Sequence, residues 1–287
     1  LDDVRMTWQE LAGFARRVAN VLRAKGIGPG DKVAMTIPNT PHFPIIYYGI
    51  LQTGAAVVPV NVLYQHTEIE HYLSDSSAKV FFAFKTFEEE ARKAFIAAES
   101  CKDFIVVSTP TDLEDPILGE NFNKLTMQAD TEFDTVQTMP DDTAVILYTS
   151  GTTGQPKGAE LTHANLFLNA WISQQLLGWR PNDVFLATLP LFHSFGQTVI
   201  MNNAIMGGAA ISLLQRFDPA ATLGIMQRDH VTVFAGVPTM YLSLIHISEP
   251  TRPYYISYAV FCLHNNTPLL PHPGPCTPII PHTSHPI

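Results

Sequence analysis

Thr143-Ala144-Val145-Ile146-Leu147-Tyr148-Thr149-Ser150-Gly151-Thr152-Thr153-Gly154-Gln155-Pro156-Lys157-Gly158 is the stretch on which the reading of this chain turns. Its first six residues are apolar and β-branched, which predicts a buried strand. From Tyr148 to Gly158 the composition changes to three Thr, one Ser, three Gly and one Lys in eleven positions. Gly admits positive φ and close backbone approach. Successive N–H groups in such a turn form an anion-binding concavity. The hydroxyls add donors, and Lys157 adds a mobile positive charge. The segment therefore suits a loop that wraps a polyphosphate, leaving the end of a strand where open α/β sheets take their ligands. A Walker A loop would need G-x-x-x-x-G-K-[ST]. Here Gly158 follows Lys157, so that class is disfavoured. A plain surface loop has the same composition, and composition alone does not separate the two.

The 287 residues suffice for one large or two modest domains, and a hydrophobic fraction of 46% allows a substantial core. The net charge of −9 argues against a nucleic-acid partner. An acidic protein that binds a polyphosphate must place its positive charge locally, which raises the weight of Lys157. Cys101, Cys262 and Cys276 have no metal or redox spacing and suggest a reducing compartment. No stretch of 18 apolar residues is present, so no transmembrane helix is expected. No signal peptide is visible either. The chain opens on Leu1 instead of Met, so the natural polypeptide is expected to begin earlier.

Helix and strand signals alternate along the first 240 residues. Thr7-x-x-Glu10 is a capping box, followed at helical spacing by Leu11, Phe14, Ala15, Val18 and Leu22, with Gly26 as the stop. Lys32 to Ile37 predicts a strand, Ile45 to Leu51 a buried helix, and Ala56 to Val60 a strand. Thr67-x-x-Glu70 reads as a second capping box, opening a helix that ends near Asp75. Lys79 to Phe84 predicts a strand and Phe87 to Ala98 a helix. Thr109 to Asp142 is polar and reads as a loop. Thr162 caps a helix reaching Leu177. Beyond it come strands at Asp183 to Thr188, Ala209 to Leu214 and Val231 to Ala235. Helices are expected between Gly196 and Gly207 and after Asp218-Pro219. This alternation predicts an α/β fold with mostly parallel sheet covered by helices.

The character changes near the end. Residues 245 to 287 hold nine of the 22 Pro and five of the eleven His, with only Glu249 and Arg252 charged. His264-Asn265-Asn266-Thr267-Pro268 and Pro271-His272-Pro273-Gly274-Pro275 suit neither helix nor central strand. A His/Cys metal tail fits no ligand spacing. A disordered Pro-rich tail is the plain alternative. Ser243-Leu244-Ile245-His246-Ile247-Ser248-Glu249-Pro250-Thr251-Arg252-Pro253-Tyr254 resembles translated sequencing-library adapter. The expectation is therefore a partial domain over 1–242 and a non-native, Pro/His-rich tail over 243–287 that continues out of frame.

A second constellation is Leu189-Pro190-Leu191-Phe192-His193-Ser194-Phe195-Gly196-Gln197-Thr198. It puts His193 just past a predicted strand in an aromatic and Gly setting. A lone His beside Phe is more often a packed or exposed loop residue than a functional one. Gly236-Val237-Pro238-Thr239-Met240-Tyr241 is a third candidate, readable also as a strand end followed by a Pro-initiated helix. Gly207-Gly208 is explained by a simple helix cap.

The order of residues from Tyr148 to Gly158, continuing through Ala159-Glu160-Leu161-Thr162-His163-Ala164-Asn165-Leu166, closely resembles the phosphate-loop signature of the adenylate-forming superfamily. That superfamily includes acyl-CoA synthetases, luciferases and the adenylation domains of peptide synthetases. Pro190-Leu191-Phe192-His193, Gly236 to Tyr241, Arg23 to Ala34, Pro38-Asn39 and Ala55 to Asn61 resemble it too, so the likeness covers about residues 5 to 242. The wording around His193 is most similar to bacterial fatty-acyl and medium-chain CoA ligases. The resemblance implies an incomplete large N-terminal domain of an adenylate-forming enzyme. It implies that Thr149, Ser150, Gly151, Thr152, Thr153, Gly154 and Lys157 bind the nucleotide, with Lys157 supporting the leaving group. By the same resemblance His193 lies near the acyl carboxylate, and Gly236 and Pro238 border the acyl pocket. No protein side chain is assigned to a metal.

The implied reaction joins a fatty acid to CoA through acyl-AMP, with ATP, Mg²⁺ and CoA as cofactor and co-substrates. Later family motifs, among them a hinge and a C-terminal lid with a catalytic Lys, are not found after Leu244, so this length of chain is expected to be inactive. An aryl- or amino-acid-adenylating enzyme that loads a carrier protein is the alternative within the superfamily. A non-catalytic truncated nucleotide binder is the alternative outside it. The expected partners are small molecules, with no protein partner readable. The expected location is cytoplasmic. Peripheral contact with a bilayer stays open, although no basic amphipathic helix is present.

Overall fold

The computed structural model describes residues 5–109, 112, 114–149 and 156–248. Thr7 caps α1 (Trp8–Ala24). Its hydroxyl accepts from the Glu10 N–H at 3.2 Å, and the Glu10 carboxylate accepts from the Thr7 N–H at 2.7 Å. Gly26 at φ +75° turns the chain out of the helix. β1 (Lys32–Thr36), α2 (His42–Gln52), β2 (Ala56–Pro59), α3 (His66–Ser76), β3 (Val80–Phe84), α4 (Glu88–Ala97) and β4 (Asp103–Val107) alternate from there. β5 (Glu120–Asn121), α5 (Phe122–Gln128), β6 (Thr143–Thr149) and β7 (Lys157–Thr162) complete the first sheet. Its order is β5-β4-β3-β1-β2-β6-β7, parallel throughout except that β7 returns antiparallel to β6.

Side chains alternate across this sheet with the period of two that a strand imposes. Val33, Met35, Phe82 and Ile105 face the layer formed by α1 and α2. Ala34, Phe81, Ala83 and Phe104 face α3 and α4. Both faces are buried, so the central strands read as continuous apolar runs.

The second sheet follows α6 (His163–Leu177). It holds β8 (Val184–Ala187), β9 (Ala210–Leu213) and β10 (Val233–Phe234), all parallel, in the order β10-β8-β9. A π-helical turn over Gly196–Asn202 runs directly into α7 (Asn203–Gly207). α8 (Pro219–Arg228) and α9 (Pro238–Ser248) close the described part. The predicted caps are present: Thr162 accepts from Asn165 N–H at 3.2 Å, and Asp218 from Ala221 N–H at 2.8 Å. Phe185, Ala187 and Ile200 belong to the same buried cluster as Val33 and Met35, so the two sheets share one core.

Four features differ from the expectations. α3 is opened by Gln65 and Glu68, not by Thr67 and Glu70: the Gln65 N–H donates to Glu68 Oε2 at 3.0 Å. The reason is tertiary, because Glu90 of α4 takes the His66 N–H at 2.9 Å and so satisfies a first-turn donor two residues early. α2 begins at His42, ahead of Pro44, since a proline in the first turn lacks only a donor that has no helical partner. The polar stretch after Thr109 contains β5 and α5, the latter capped by Asn121, which accepts from Lys124 N–H at 3.1 Å. β4 and β7 are additional strands. β7, with Lys, Glu and Gly, owes its strand conformation to pairing with β6.

The expected boundary after Leu242 falls inside α9, whose Leu244 packs against the cluster of Leu186, Val231 and Phe234. Residues 249–287 lie outside the described residues. No helix among the described residues is long and apolar enough to cross a membrane.

Candidate functional site

The β6–β7 pair is a hairpin whose last register pairs are Tyr148 with Gly158 and Thr149 with Lys157. The expected nucleotide loop is the stretch of sequence that joins these two strands. Thr149 and Lys157 face each other at its root, both exposed, and Lys157 has no ion-pair partner among the described residues. Ser150, Gly151, Thr152, Thr153 and Gly154 lie outside the described residues. Gly158 is needed where it stands: a Cβ there would sit 2.8 Å from Ile146 Cγ2.

α3 holds both stems of this hairpin. The Tyr148 hydroxyl donates to Asp75 Oδ2 at 2.6 Å, and its ring stacks on Tyr72 at 4.0 Å between centroids. On the other stem, His71 Nε2 lies 3.2 Å from the Pro156 carbonyl oxygen. A carbonyl only accepts, so Nε2 carries the hydrogen. Burial, reinforced by the Asp75 carboxylate beside it, holds the Tyr148 phenol above its ordinary pKa, so it stays a neutral donor.

His193 lies in the loop after β8. Its backbone N–H donates to the Pro190 carbonyl at 3.1 Å, and its carbonyl accepts from Gln197 N–H at 3.0 Å. Its Nδ1 accepts from the Phe195 N–H at 3.3 Å, which leaves Nε2 as the protonated nitrogen of the neutral ring. The ring is exposed. Gly196 permits this turn, because a Cβ there would meet the Pro190 carbonyl oxygen at 2.3 Å.

Asn39, buried just past β1, ties this loop to the first sheet. Its Nδ2 donates to the carbonyl oxygens of Leu189 at 2.9 Å, Ala187 at 3.1 Å and Leu214 at 3.3 Å. Its Oδ1 accepts from the Leu191 N–H at 2.9 Å. One amide therefore joins the carboxyl end of β1 to the carboxyl ends of β8 and β9. β6 runs parallel to β2, and β2 to β1, so the hairpin root rises from that same edge of the first sheet.

Gly236 and Pro238 follow β10, the parallel neighbour of β8, and so stand at the same edge as the His193 loop. Pro238 is the first residue of α9, the position where its missing N–H costs nothing. Gly236 packs closely on Phe234, where a Cβ would meet the ring at 3.2 Å. The structure thus brings His193, Gly236 and Pro238 to one sheet edge, and Thr149 with Lys157 to the edge that Asn39 joins to it.

Two residues of this region escape a reading of the sequence as functional. Asn39 belongs to a stretch that carries the family resemblance, which implies no role for it, and nothing local announces carbonyl partners some 150 positions away. Gln197 is fully buried in the π-helical turn, with neither amide atom paired to protein. Both the orphaned amide and the π turn are features that mark ligand-contacting regions. Its signal in the sequence was its place within the Leu189–Thr198 stretch, four residues after His193.

The AMP-binding enzyme family model matches residues 1–262. A long-chain-fatty-acid–CoA ligase of Bacillus subtilis is 32% identical over 92% of this chain and 51% of its own length. A feruloyl-CoA synthase of an Amycolatopsis species is 33% identical over 83% of this chain and 45% of its own. Among solved structures, ATP-bound MatB from Rhodopseudomonas palustris superposes with a TM-score of 0.74 at 31% identity, covering 83% of this chain and 45% of that one. The chain spans about half the length of the relatives it matches. With the family model matching most of its residues and these relatives sharing its fold, this chain belongs to the AMP-binding enzyme family.

Proposed function

We propose that this chain is the nucleotide-phosphate-holding part of an acid–CoA ligase that acts on a fatty acid. The observation that carries the reading is the hairpin root, where Thr149 and Lys157 sit opposite one another on stems fixed by α3. In the proposed first step a carboxylate oxygen attacks the α-phosphorus of ATP, and the bond to pyrophosphate breaks. Two polyanions meet, so neutralising charge dominates the barrier. Lys157 supplies a cation, and the loop from Thr149 to Gly154 supplies hydroxyl and backbone donors. In the second step the CoA thiolate attacks the acyl carbon and AMP leaves. His193, with Nε2 protonated, would donate to the carboxylate, and Gly236 and Pro238 would border the acyl chain. No group of three His, Cys, Asp or Glu among the described residues could cage a cation. A Mg²⁺ ion bound together with ATP would lower the charge of the triphosphate.

The Bacillus relative supports the fatty acid. The feruloyl-CoA synthase, equally similar, favours an aryl acid as the second reading. The test is calorimetric titration of the 287-residue chain and of Lys157→Ala with ATP, and of the chain with a panel of fatty and aryl acids in the presence of ATP. Lys157→Ala is expected to weaken ATP binding by about 2 kcal/mol, the worth of a charge-assisted contact. Equal binding by both proteins sinks the assignment of Lys157. The 287-residue chain spans about half the length of these relatives and is expected to show no ATP–pyrophosphate exchange by itself. Resequencing codons 240 to 260 from an adapter-free amplicon tests the proposed boundary at Leu242.

A further inference from the structure

The crook Leu189-Pro190-Leu191 leads from β8 into the His193 loop, and it lies past the ladder, whose last pair joins Ala187 of β8 to Leu213 of β9. Leu189 and Leu191 are buried, at 6% and 1% exposure, so their peptide groups need partners within the protein. Pro190 has no N–H to offer. Asn39, itself 4% exposed, supplies both partners: Oδ1 accepts from the Leu191 N–H and Nδ2 donates to the Leu189 carbonyl, each at 2.9 Å. Its further contacts, to the carbonyls of Ala187 and Leu214, fix the amide's own orientation, because a flipped amide would set its oxygen against three carbonyls. The crook in turn holds His193, whose N–H donates to the Pro190 carbonyl at 3.1 Å. At the far end of the same segment the Tyr48 hydroxyl of α2 donates to Asn202 Oδ1 at 2.8 Å. The stretch that carries His193 is thus tied at both ends to the β1–α2 unit, and between the ties the His193 ring is exposed.

We infer that Asn39 is a positioning residue for the acid, the group that sets where His193 stands. The inference rests on the ligase reading above for what His193 touches, and on the hydrogen bonds alone for how His193 is held. The amide is the chemistry the crook demands, since it accepts one N–H and donates to carbonyls from a single planar group. Aspartate would bring a carboxylate against those carbonyls, and alanine would leave the Leu189 carbonyl and the Leu191 N–H unpaired. The nucleotide hairpin has separate supports, Asp75, Tyr72 and His71 of α3. The two sides of the site are therefore held independently, and loss of Asn39 disturbs the acid while sparing ATP.

The test compares the 287-residue chain with Asn39→Ala, His193→Ala and the double variant. Amide hydrogen exchange reads the loop, and calorimetry reads the binding of ATP and then of laurate with ATP present. In Asn39→Ala the His193 and Gln197 N–H groups should exchange about tenfold faster, while β6 and β7 exchange as before. ATP affinity should be unchanged and laurate affinity about tenfold weaker, the worth of one hydrogen bond. In the His193→Ala background Asn39→Ala should cost laurate nothing more, a result that a merely structural residue would not give. Should Asn39→Ala lose the circular dichroism of the folded chain, Asn39→Ser, which keeps a hydroxyl donor and acceptor, takes its place. Three outcomes overturn the inference: unchanged exchange at His193, ATP and laurate weakening together, or an equal loss of laurate affinity with and without the His193 ring. Faster exchange at His193 with laurate bound by none of the four proteins keeps Asn39 as the holder of that loop and refutes the ligase reading instead.

Discussion

His42 shows how one buried side chain sets a pH response. It lies between the rings of Phe84 and Phe122, at 6.0 and 5.8 Å, with only Thr40 Oγ1 near its Nδ1. Burial pulls its pKa down to about 4, so the folded protein keeps the ring neutral. The unfolded chain takes up the proton near pH 6.5, and the folded one does so only near 4. Stability from this group is complete above the unfolded value and is lost as pH falls through that window, by about 3 kcal/mol in total. Urea midpoints measured from pH 7 to 4 should show that loss. His42→Leu should flatten the profile, and an unchanged slope would assign the acid sensitivity elsewhere. Gln197 makes the opposite case. Its amide is desolvated without protein partners, so Gln197→Met is expected to stabilise the fold by about 1–2 kcal/mol. A lower urea midpoint for that variant would mean that the amide is satisfied within the free protein.

Among elements, α3 and the β6–β7 hairpin form the unit that matters most for the site. Tyr148 and Pro156 bracket the loop, and α3 grips one with Asp75 and Tyr72 and the other with His71. Tyr148→Phe removes one hydrogen bond and keeps the stacked ring. It should cost about 1 kcal/mol of stability or less. In ATP titration, Tyr148→Phe combined with His71→Ala should weaken binding more than either change alone, because each frees one stem. Additive effects no larger than the stability losses would show that the loop holds its shape without α3. The strand preceding the loop was legible from its apolar β-branched run, whereas the strand following it was not. Lys157-Gly158-Ala159-Glu160 has no strand propensity, and only the ladder to β6 makes it one.

At the scale of the molecule, the two sheets act as one body. Val33 and Met35 share a core with Phe185 and Ile200, and Asn39 ties the sheet edges with four hydrogen bonds. Heating should therefore give one calorimetric transition, with fluorescence and circular dichroism coinciding. Two separated transitions would mean that the second sheet melts by itself and that Asn39 is a surface contact only.

The sequence by itself determined the alternation of helices and strands, most of the helix caps and the family. Those features depend on local spacing: Thr7 with Glu10, Thr162 with Asn165, apolar runs of strand length, and the order of residues from Tyr148 to Gly158. It did not determine what depends on distant partners. Glu90 moved the start of α3, β6 turned a polar segment into β7, and three carbonyls at and just past the ends of β8 and β9 made Asn39 a tie between sheets. α6 was legible only as a helix that Thr162 caps and that reaches Leu177. Only the tertiary structure, by burying Leu166 and Ala170 and leaving Trp171 and Leu176 exposed, showed that its second face has no cover among the described residues. Burial belongs to the whole fold, and no local pattern encodes which of two apolar faces will find a neighbour.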